Sequence, residues 1–422
     1  MRRKIIGFGI IFLWVLGRAV KSYSAGDADL QELSMTAEKT TDIVYSDEAS
    51  WYEDGKVKFA ISIFDEEWKE LYTQAEMIAA CQIPDRLLKK LTTYELLKLA
   101  EEYPLLGNIY TGDTMEEGFQ YVVDSFNGLQ ELLKREDCLE VVCEEYDKLI
   151  IPREQMIDYN DYQTEEELVA YINEILEDDY MLKIALKDSE PLIVCDLLEM
   201  IMLNKTTENN VELLLEIVTD KALEKENAEC FEFENKSIYI SGLEENMLSQ
   251  ISAYVTTEDE GVTPAKLYWK GAEIDVVVAN NPRNNTPEEV VEILKNYVPQ
   301  GAQLVSLGSN KYNCHSYAWL RLAFPNTYDD YCLNIVPNVF MNKCKKFDEP
   351  HKQSIAYKAQ HSAVIVDETN TRIEHDKPIF DPIVKAKWGG GPVVKAPMSV
   401  GPMGMEHEDV RGNYYYYGTF PK

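Results

Sequence analysis

The chain has 422 residues and a formal net charge of −33 at pH 7, with 74 acidic residues against 41 basic ones. This charge argues against nucleic-acid binding, because phosphate backbones are bound by basic surfaces. It also opposes passive adsorption to an anionic membrane or wall polymer, so any anionic target of this kind would have to be recognised at a local site. The length is sufficient for two or three domains with cores of their own.

The first 25 residues have the pattern of an export signal. Residues 2–4 are basic, residues 5–16 are uncharged and apolar, and Ser24 and Ala25 supply small residues for cleavage. The apolar run is short for a membrane span, so we expect no stable span once the signal is removed. The alternative is an uncleaved N-terminal anchor. The expected location is outside the cell, either secreted or in the cell-wall space.

The next segments predict a linker followed by a helical domain. Residues 26–55 are polar and acidic and are predicted to be a leader or linker. Residues 56–240 show helical spacing of apolar residues. Thr92 and Thr164 each precede a glutamate by three residues, which is the arrangement of a capping box at a helix start. We therefore predict an all-α helical domain over 56–240, and no catalytic constellation is recognisable in it.

The C-terminal part, residues 250–422, mixes strand and helix patterns. Alternation over 266–278 predicts a β-hairpin. The tetrad Thr286-Pro287-Glu288-Glu289 predicts a helix start, and strands are predicted near 361–367 and 379–388. The sequence thus predicts a multidomain protein, with an N-terminal all-α domain followed by a C-terminal α+β domain.

Cys314 is the candidate nucleophile. In segment 311–319 a loop runs into a predicted helix, and Asn313 is a good N-cap residue. Cys314 would then lie in the first turn, near the positive end of the helix dipole, which favours the reactive thiolate. The backbone N–H of Cys314 would supply one oxyanion donor, with Asn310 or Asn313 as the second.

His361 is the candidate base among the five histidines. It opens an apolar run that predicts a buried strand, and a strand end can hold an imidazole rigidly beside a helix start. His315 would face elsewhere on the helix, about 100° around the axis from Cys314. A third group usually orients such a base. The candidates, which the sequence does not separate, are Asp381, Asp376 and Glu374.

Three short blocks of the C-terminal part resemble a known family. They are Tyr312-Asn313-Cys314-His315-Ser316-Tyr317-Ala318-Trp319, His361-Ser362-Ala363 and Lys387-Trp388-Gly389-x-Gly391-Pro392. Together they resemble an exported papain-like group of Gram-positive bacteria, which is similar to the CHAP amidases and the NlpC-type cell-wall peptidases. The resemblance covers roughly 260–400 and implies a papain-like fold over 250–422. It implies Cys314 as nucleophile and His361 as base. It also implies Lys387 and Trp388 as residues that line the site.

The helical region carries a second resemblance. Cys81-Gln82-Ile83-Pro84 and Phe126-Asn127-Gly128-Leu129 resemble a domain found in exported proteins of gut bacteria, from which no function follows.

The expected function is therefore an exported cysteine hydrolase that cleaves an amide bond in a peptide or peptidoglycan. No metal or cofactor is expected, since the cysteine and histidine spacing fits no zinc pattern. An acyltransferase or transpeptidase would use the same residues. The alternative from another class is a non-catalytic exported binding or scaffold protein with a degenerate papain-like domain. Ala386 favours that alternative, because it stands where the family commonly has serine.

Overall fold

The computed structural model describes part of the chain. The described residues are 48–71, 73–112, 115–149, 162, 164–205, 251–253, 262–269, 272–279, 284–309, 312–320, 333–335, 338–358, 361–374, 377–401 and 415–418. The predicted export signal and most of the predicted leader lie outside these residues. None of the helices in the described part is both long and apolar enough to cross a membrane.

The N-terminal part of the described chain is built from helices, as predicted. They are α1 (Glu66–Lys69), α2 (Gln74–Ala80), α3 (Asp85–Leu88), α4 (Thr93–Glu101), α5 (Met115–Ser125), α6 (Asn127–Leu132), α7 (Cys138–Lys148), α8 (Glu165–Glu177) and α9 (Asp179–Asn204). Thr92 and Glu95 form the predicted capping box before α4, and the Thr164 side chain accepts the backbone N–H of Glu167 before α8. These caps fix where the helices begin, because they satisfy N–H groups that have no partner inside the helix.

The fold begins before the predicted boundary at residue 56. Glu48–Trp51 forms a 3₁₀ turn, and β1 (Tyr52–Glu53) pairs antiparallel with β2 (Lys56–Val57). The Trp51 ring is completely buried and packs on Phe59, with ring centroids 5.5 Å apart. The prediction of a linker over 26–55 is therefore wrong at its C-terminal end, because burial of an indole makes this segment part of the core.

The two helical blocks that carry the second resemblance pair with each other. Asn127 accepts the backbone N–H of Ile83 at 3.0 Å and donates to the Ile83 carbonyl at 2.8 Å. Gln82 donates to the Ser125 carbonyl at 2.8 Å. Side chains thus satisfy the backbone between α2 and α3, which holds that connection against α6.

The C-terminal part is dominated by antiparallel sheet. Its strands are β3 (Ile251–Ala253), β4 (Val262–Trp269), β5 (Ala272–Ala279), β6 (Gln303–Ser306), β7 (Leu333–Ile335), β8 (Lys346–Phe347), β9 (Ile355–Lys358), β10 (His361–Asp367), β11 (Thr371–Glu374), β12 (Lys377–Phe380), β13 (Ile383–Lys387), β14 (Val393–Pro397) and β15 (Tyr415–Tyr417). Helices α10 (Pro287–Leu294) and α11 (Asn338–Met341) lie between them. Helix α10 starts with the predicted capping box at Thr286.

The described strands form one large sheet, one smaller sheet and two ribbons. The large sheet has seven strands in the order β6-β14-β13-β10-β9-β15-β8, and the smaller has four in the order β3-β4-β5-β7. The predicted hairpin over 266–278 is the β4–β5 pair, and the predicted strand over 361–367 is β10. The strand predicted near 379–388 is divided between β12 and β13. The result is a mixed helix-plus-sheet protein.

The helices and the large sheet share one apolar core. Ala363, Ile365 and Ala386 on the sheet belong to the same buried cluster as Leu96 and Phe126 on the helical side. Polar contacts cross the same boundary. Asn173 on α8 pairs with both backbone groups of Leu304 on β6, at 2.9 and 3.1 Å. The described core therefore continues across the two predicted domains.

Candidate functional site

Cys314 begins a short helix that packs on the large sheet. We call residues 314–320 the Cys314 helix, which continues as a π-helix over Ser316–Leu320. Asn313 makes the hydrogen bond expected of an N-cap, because its Oδ1 accepts the backbone N–H of Ser316 at 2.9 Å. The same oxygen accepts the Ser316 hydroxyl at 3.1 Å. Cys314 therefore occupies the first helical position, and its exposed fraction is 4%.

Strand β10 meets this helix with alternate residues. Ser362 and Val364 face the Cys314 helix: Ser362 bonds to it, and Val364 packs with Tyr312 and Tyr317. Ala363 lies on the opposite face, in the main core. Because both faces of β10 are covered, the sequence of this strand is a continuous apolar run instead of an alternating one.

Ser362 joins the Cys314 helix to the beginning of β10. Its Oγ lies 2.7 Å from Nδ1 of His315 and accepts the indole N–H of Trp319 at 2.8 Å. His315 and Trp319 are four residues apart and so lie on one side of the helix. Ser362 follows His361 directly, and His315 follows Cys314. These two hydrogen bonds therefore hold the segment of Cys314 against the segment of His361.

The site contains two histidines of different character. Burial of His315, and to a smaller extent the charge on His361, lowers the pKa of His315 from 6.5 to about 4. His315 is therefore neutral at physiological pH. His361 is the first residue of β10, is partly buried, and is near enough to His315 for their charges to interact.

Tyr357 on β9 is a further neighbour of His315 and Ser362, and we call these residues, together with Cys314, Trp319 and His361, the Cys314 cluster. It stands opposite Ser362 in the β9–β10 register, and its ring centroid is 6.0 Å from that of His315. Burial raises the pKa of Tyr357, and the charge on Cys314 raises it further. Cys314, His315, Tyr357 and His361 thus belong to one electrostatic neighbourhood.

Lys387 lies against Tyr312, two residues before Cys314. Its ammonium group is completely buried, donates to the carbonyl oxygens of Gly389 at 2.5 Å and Gly391 at 2.9 Å, and lies 5.1 Å from the centre of the Tyr312 ring. Lys387 therefore meets the site through Tyr312. Trp388 is different: it is 2% exposed and belongs to the main core. The expectation that Trp388 lines the site is therefore corrected: its side chain packs in the main core.

Asp381 is remote from His361. In the antiparallel register Asp367, at the far end of β10, is opposite Ile383, so Asp381 lies beyond that end. The six residue-to-residue steps of β10 from His361 to Asp367 span about 20 Å. The Asp381 carboxylate accepts the backbone N–H of Ser399 at 2.8 Å and its hydroxyl at 2.6 Å. Asp381 therefore orients the Ser399 turn and cannot orient His361.

The other predicted polar groups are placed as follows. Glu374 ends β11 in the separate β11–β12 ribbon, whose base is formed by Asn370 and Asp381. Asp376 and Asn310 lie outside the described residues. The Oδ1 of Asn313 accepts the hydrogen bonds of the helix cap, so donation to an oxyanion would come from its Nδ2 group. Among the residues that the structure describes, no three His, Cys, Asp or Glu side chains are grouped to hold a metal ion.

Three residues of the cluster were not predicted as parts of the site. Ser362 and Trp319 belonged to two of the blocks that carry the resemblance but had no assigned role, and Tyr357 was not singled out. The spacing of His315 and Trp319, four apart with a polar atom on each, is the signal that could have indicated a shared partner. Comparisons of the chain with protein-family models, curated proteins and solved structures find no match to any of them.

Proposed function

We propose that the protein is a cysteine hydrolase that cleaves an amide bond, with Cys314 as nucleophile and His361 as base in a papain-like C-terminal part. One observation carries this proposal. Cys314 begins a capped helix that the His315–Ser362 contact, 2.7 Å long, holds against the strand that His361 begins. A thiol at a helix start beside an imidazole at a strand start is the arrangement that thiolate chemistry needs.

The proposed reaction divides proton transfer between the two residues. His361 takes the proton of the Cys314 thiol, and the thiolate attacks the carbonyl carbon of the amide. The backbone N–H of Cys314 donates to the oxyanion that forms. His361 then gives its proton to the leaving amine, and a water molecule hydrolyses the thioester. The helix dipole favours the thiolate form, because its positive end is at Cys314.

The proposed substrate is a peptide or a peptidoglycan cross-link outside the cell. The signal-like pattern over 1–25 supports export, and the net charge of −33 excludes attraction of the whole molecule to an anionic wall polymer. Recognition of the substrate therefore falls to local contacts around Cys314.

A second candidate function is a non-catalytic exported binding or scaffold protein. Its support is the burial of Cys314, whose exposed fraction is 4%. Buried cysteines commonly serve as small apolar residues, and burial in apolar surroundings disfavours the thiolate. In this case the Cys314 helix would be a packing element of the sheet.

The pH dependence of Cys314 alkylation by iodoacetamide separates the two functions. The modification is followed on the peptide that contains Cys314, so that other thiols do not contribute. An activated thiol reacts well below the ordinary thiol pKa of about 8.5. We expect such reaction in the native protein and its loss in His361→Ala.

His351→Ala is the matched control, because His351 lies against Phe347, with ring centroids 4.6 Å apart. It should react like the native protein. Slow alkylation of all three proteins at neutral pH would contradict the hydrolase and favour the scaffold.

A further inference from the structure

The hydroxyl of Ser362 has a limited set of partners. A serine hydroxyl carries one proton and two lone pairs, whereas an indole N–H is a donor only. Trp319 therefore occupies one lone pair of Ser362 Oγ. Ser362 is completely buried, so solvent does not supply a partner.

The hydroxyl proton of Ser362 is directed to His315. Nδ1 of His315, at 2.7 Å, is the other polar atom bonded to this oxygen among the described residues. If Nδ1 carried a proton, the buried hydroxyl proton would have no acceptor there, which is unfavourable. The hydroxyl consequently donates to Nδ1, and a neutral ring must carry its proton on Nε2.

The surroundings keep that ring neutral. The charged or titratable groups near it are Cys314 on its own helix, His361 on β10 and Tyr357 on β9. Burial and the charge on His361 both lower the pKa of His315, to about 4. With Nδ1 accepting a hydrogen bond and Nε2 protonated, the ring has no free lone pair with which to act as a base.

We propose that Ser362 is a positioning residue of the Cys314 site, which holds His315 as the neutral Nε2–H tautomer and leaves His361 as the imidazole that exchanges a proton with Cys314. This inference rests on the proposed function. A protonated His315 would repel the His361 imidazolium. A neutral His315 places no positive charge beside it.

The test combines a ring measurement with a thiol measurement. Nitrogen-15 NMR of the histidine rings reports the tautomer of His315 without any need for activity, and the Cys314 alkylation rate at neutral pH reports the site. In the native protein we expect the Nε2–H tautomer. In Ser362→Ala we expect a population of the Nδ1–H tautomer and alkylation slower by roughly tenfold to a hundredfold. Ser362→Thr keeps a hydroxyl and should restore both.

Ser354→Ala is the matched control, because Ser354 is also buried and its hydroxyl bonds to the His351 backbone instead. It should change neither readout. An Nδ1–H tautomer in the native protein would overturn the inference without any variant. So would a Ser362→Ala protein with native tautomer and native alkylation.

The failure of the proposed function has a different signature. In that case the His315 tautomer depends on Ser362, but alkylation responds to neither Ser362→Ala nor His361→Ala. Such a result would contradict both the hydrolase and the positioning role of Ser362, and would leave the tautomer assignment supported.

Discussion

The indole of Trp388 meets the phenol ring of Tyr297 edge to face, with centroids 4.7 Å apart and planes at 86°. Trp388 follows β13 directly, and Tyr297 lies just after α10. The Tyr297 hydroxyl donates to Oδ1 of Asn108 at 3.0 Å, on the helical side. Edge-to-face pairs add stability beyond the area they bury. This contact therefore ties the strand that carries Lys387 to the helical part.

Gly389→Ala should destabilise the protein strongly. Gly389 has φ +56°, and a Cβ there would lie 1.7 Å from the backbone carbonyl oxygen of Thr111. The neighbouring Gly390 donates to the Gly112 carbonyl at 2.8 Å, so the two segments cannot separate without losing a hydrogen bond. We expect the free energy of unfolding to fall by more than the roughly 1–2 kcal/mol that a left-handed backbone conformation costs alone. Urea unfolding measures it.

Gly301→Ala is the control for that variant. Gly301 has φ +88°, but nothing lies within 4 Å of an added Cβ. It should lose only the backbone contribution, about 1–2 kcal/mol. Equal losses in the two variants would show that the approach to Thr111 is unimportant.

Lys387→Met should also destabilise the fold. Methionine keeps the apolar stem but removes the ammonium group that bonds to the carbonyls of Gly389 and Gly391. Hydrogen bonds from charged donors contribute about 1.5–3 kcal/mol each. We expect a loss of about 2–4 kcal/mol in urea unfolding, less than the sum because burial of a charge is itself unfavourable. Lys385→Met, on the same strand but less buried, is the control. A stabilised Lys387→Met protein would contradict this role.

Local signals in the sequence were sufficient for much of the secondary structure. The capping boxes before α4 and α10 predict helix starts because the bonds involve residues only three apart. The bounds of β10 were predicted because an apolar run between polar segments is also a local pattern. The cap at Asn313 was predictable for the same reason, because its hydrogen bond joins residues three apart.

What the sequence did not reveal depends on packing and register. Asp381 is twenty positions from His361, yet the antiparallel register of β10 and β13 puts it at the opposite end of the strand. The role of Ser362 depends on which face of β10 receives the Cys314 helix, and a shift by one residue would reverse it. Trp51 was assigned to a linker because its partner Phe59 is recognisable only in the folded core.

Asn313→Ala should weaken the Cys314 helix. The substitution removes the oxygen that accepts the backbone N–H of Ser316 at 2.9 Å. Loss of such a cap costs about 0.5–2 kcal/mol, measurable as a lower urea midpoint.

Asn313→Asp separates the cap from the electrostatics of the thiol. Aspartate keeps the accepting oxygen, so stability should stay near that of the native protein. Its negative charge next to Cys314 disfavours the thiolate, so alkylation at neutral pH should slow. Alkylation of Asn313→Asp at the native rate would contradict the expected effect of a negative charge at position 313 on the Cys314 thiolate.

Acidification from about pH 6.5 to about pH 4 should destabilise the protein through His315. The pKa of His315 is lowered from 6.5 to about 4 in the folded state, by burial first and by His361 second. In this window the unfolded chain binds more protons than the folded one, so stability rises with pH and falls on acidification. The slope from one proton is at most about 1.4 kcal/mol per pH unit.

Urea unfolding at several pH values measures this slope in the native protein and in His315→Gln. The variant lacks the titrating ring, so its curve should be flatter between pH 6.5 and 4 by the contribution of one proton, because the group that protonates on unfolding is gone. His351→Gln, which removes a histidine packed on Phe347, controls for the loss of a ring elsewhere. Parallel curves for the native protein and His315→Gln would mean that the pKa of His315 is the same in the folded and the unfolded chain, which would contradict its lowering by burial.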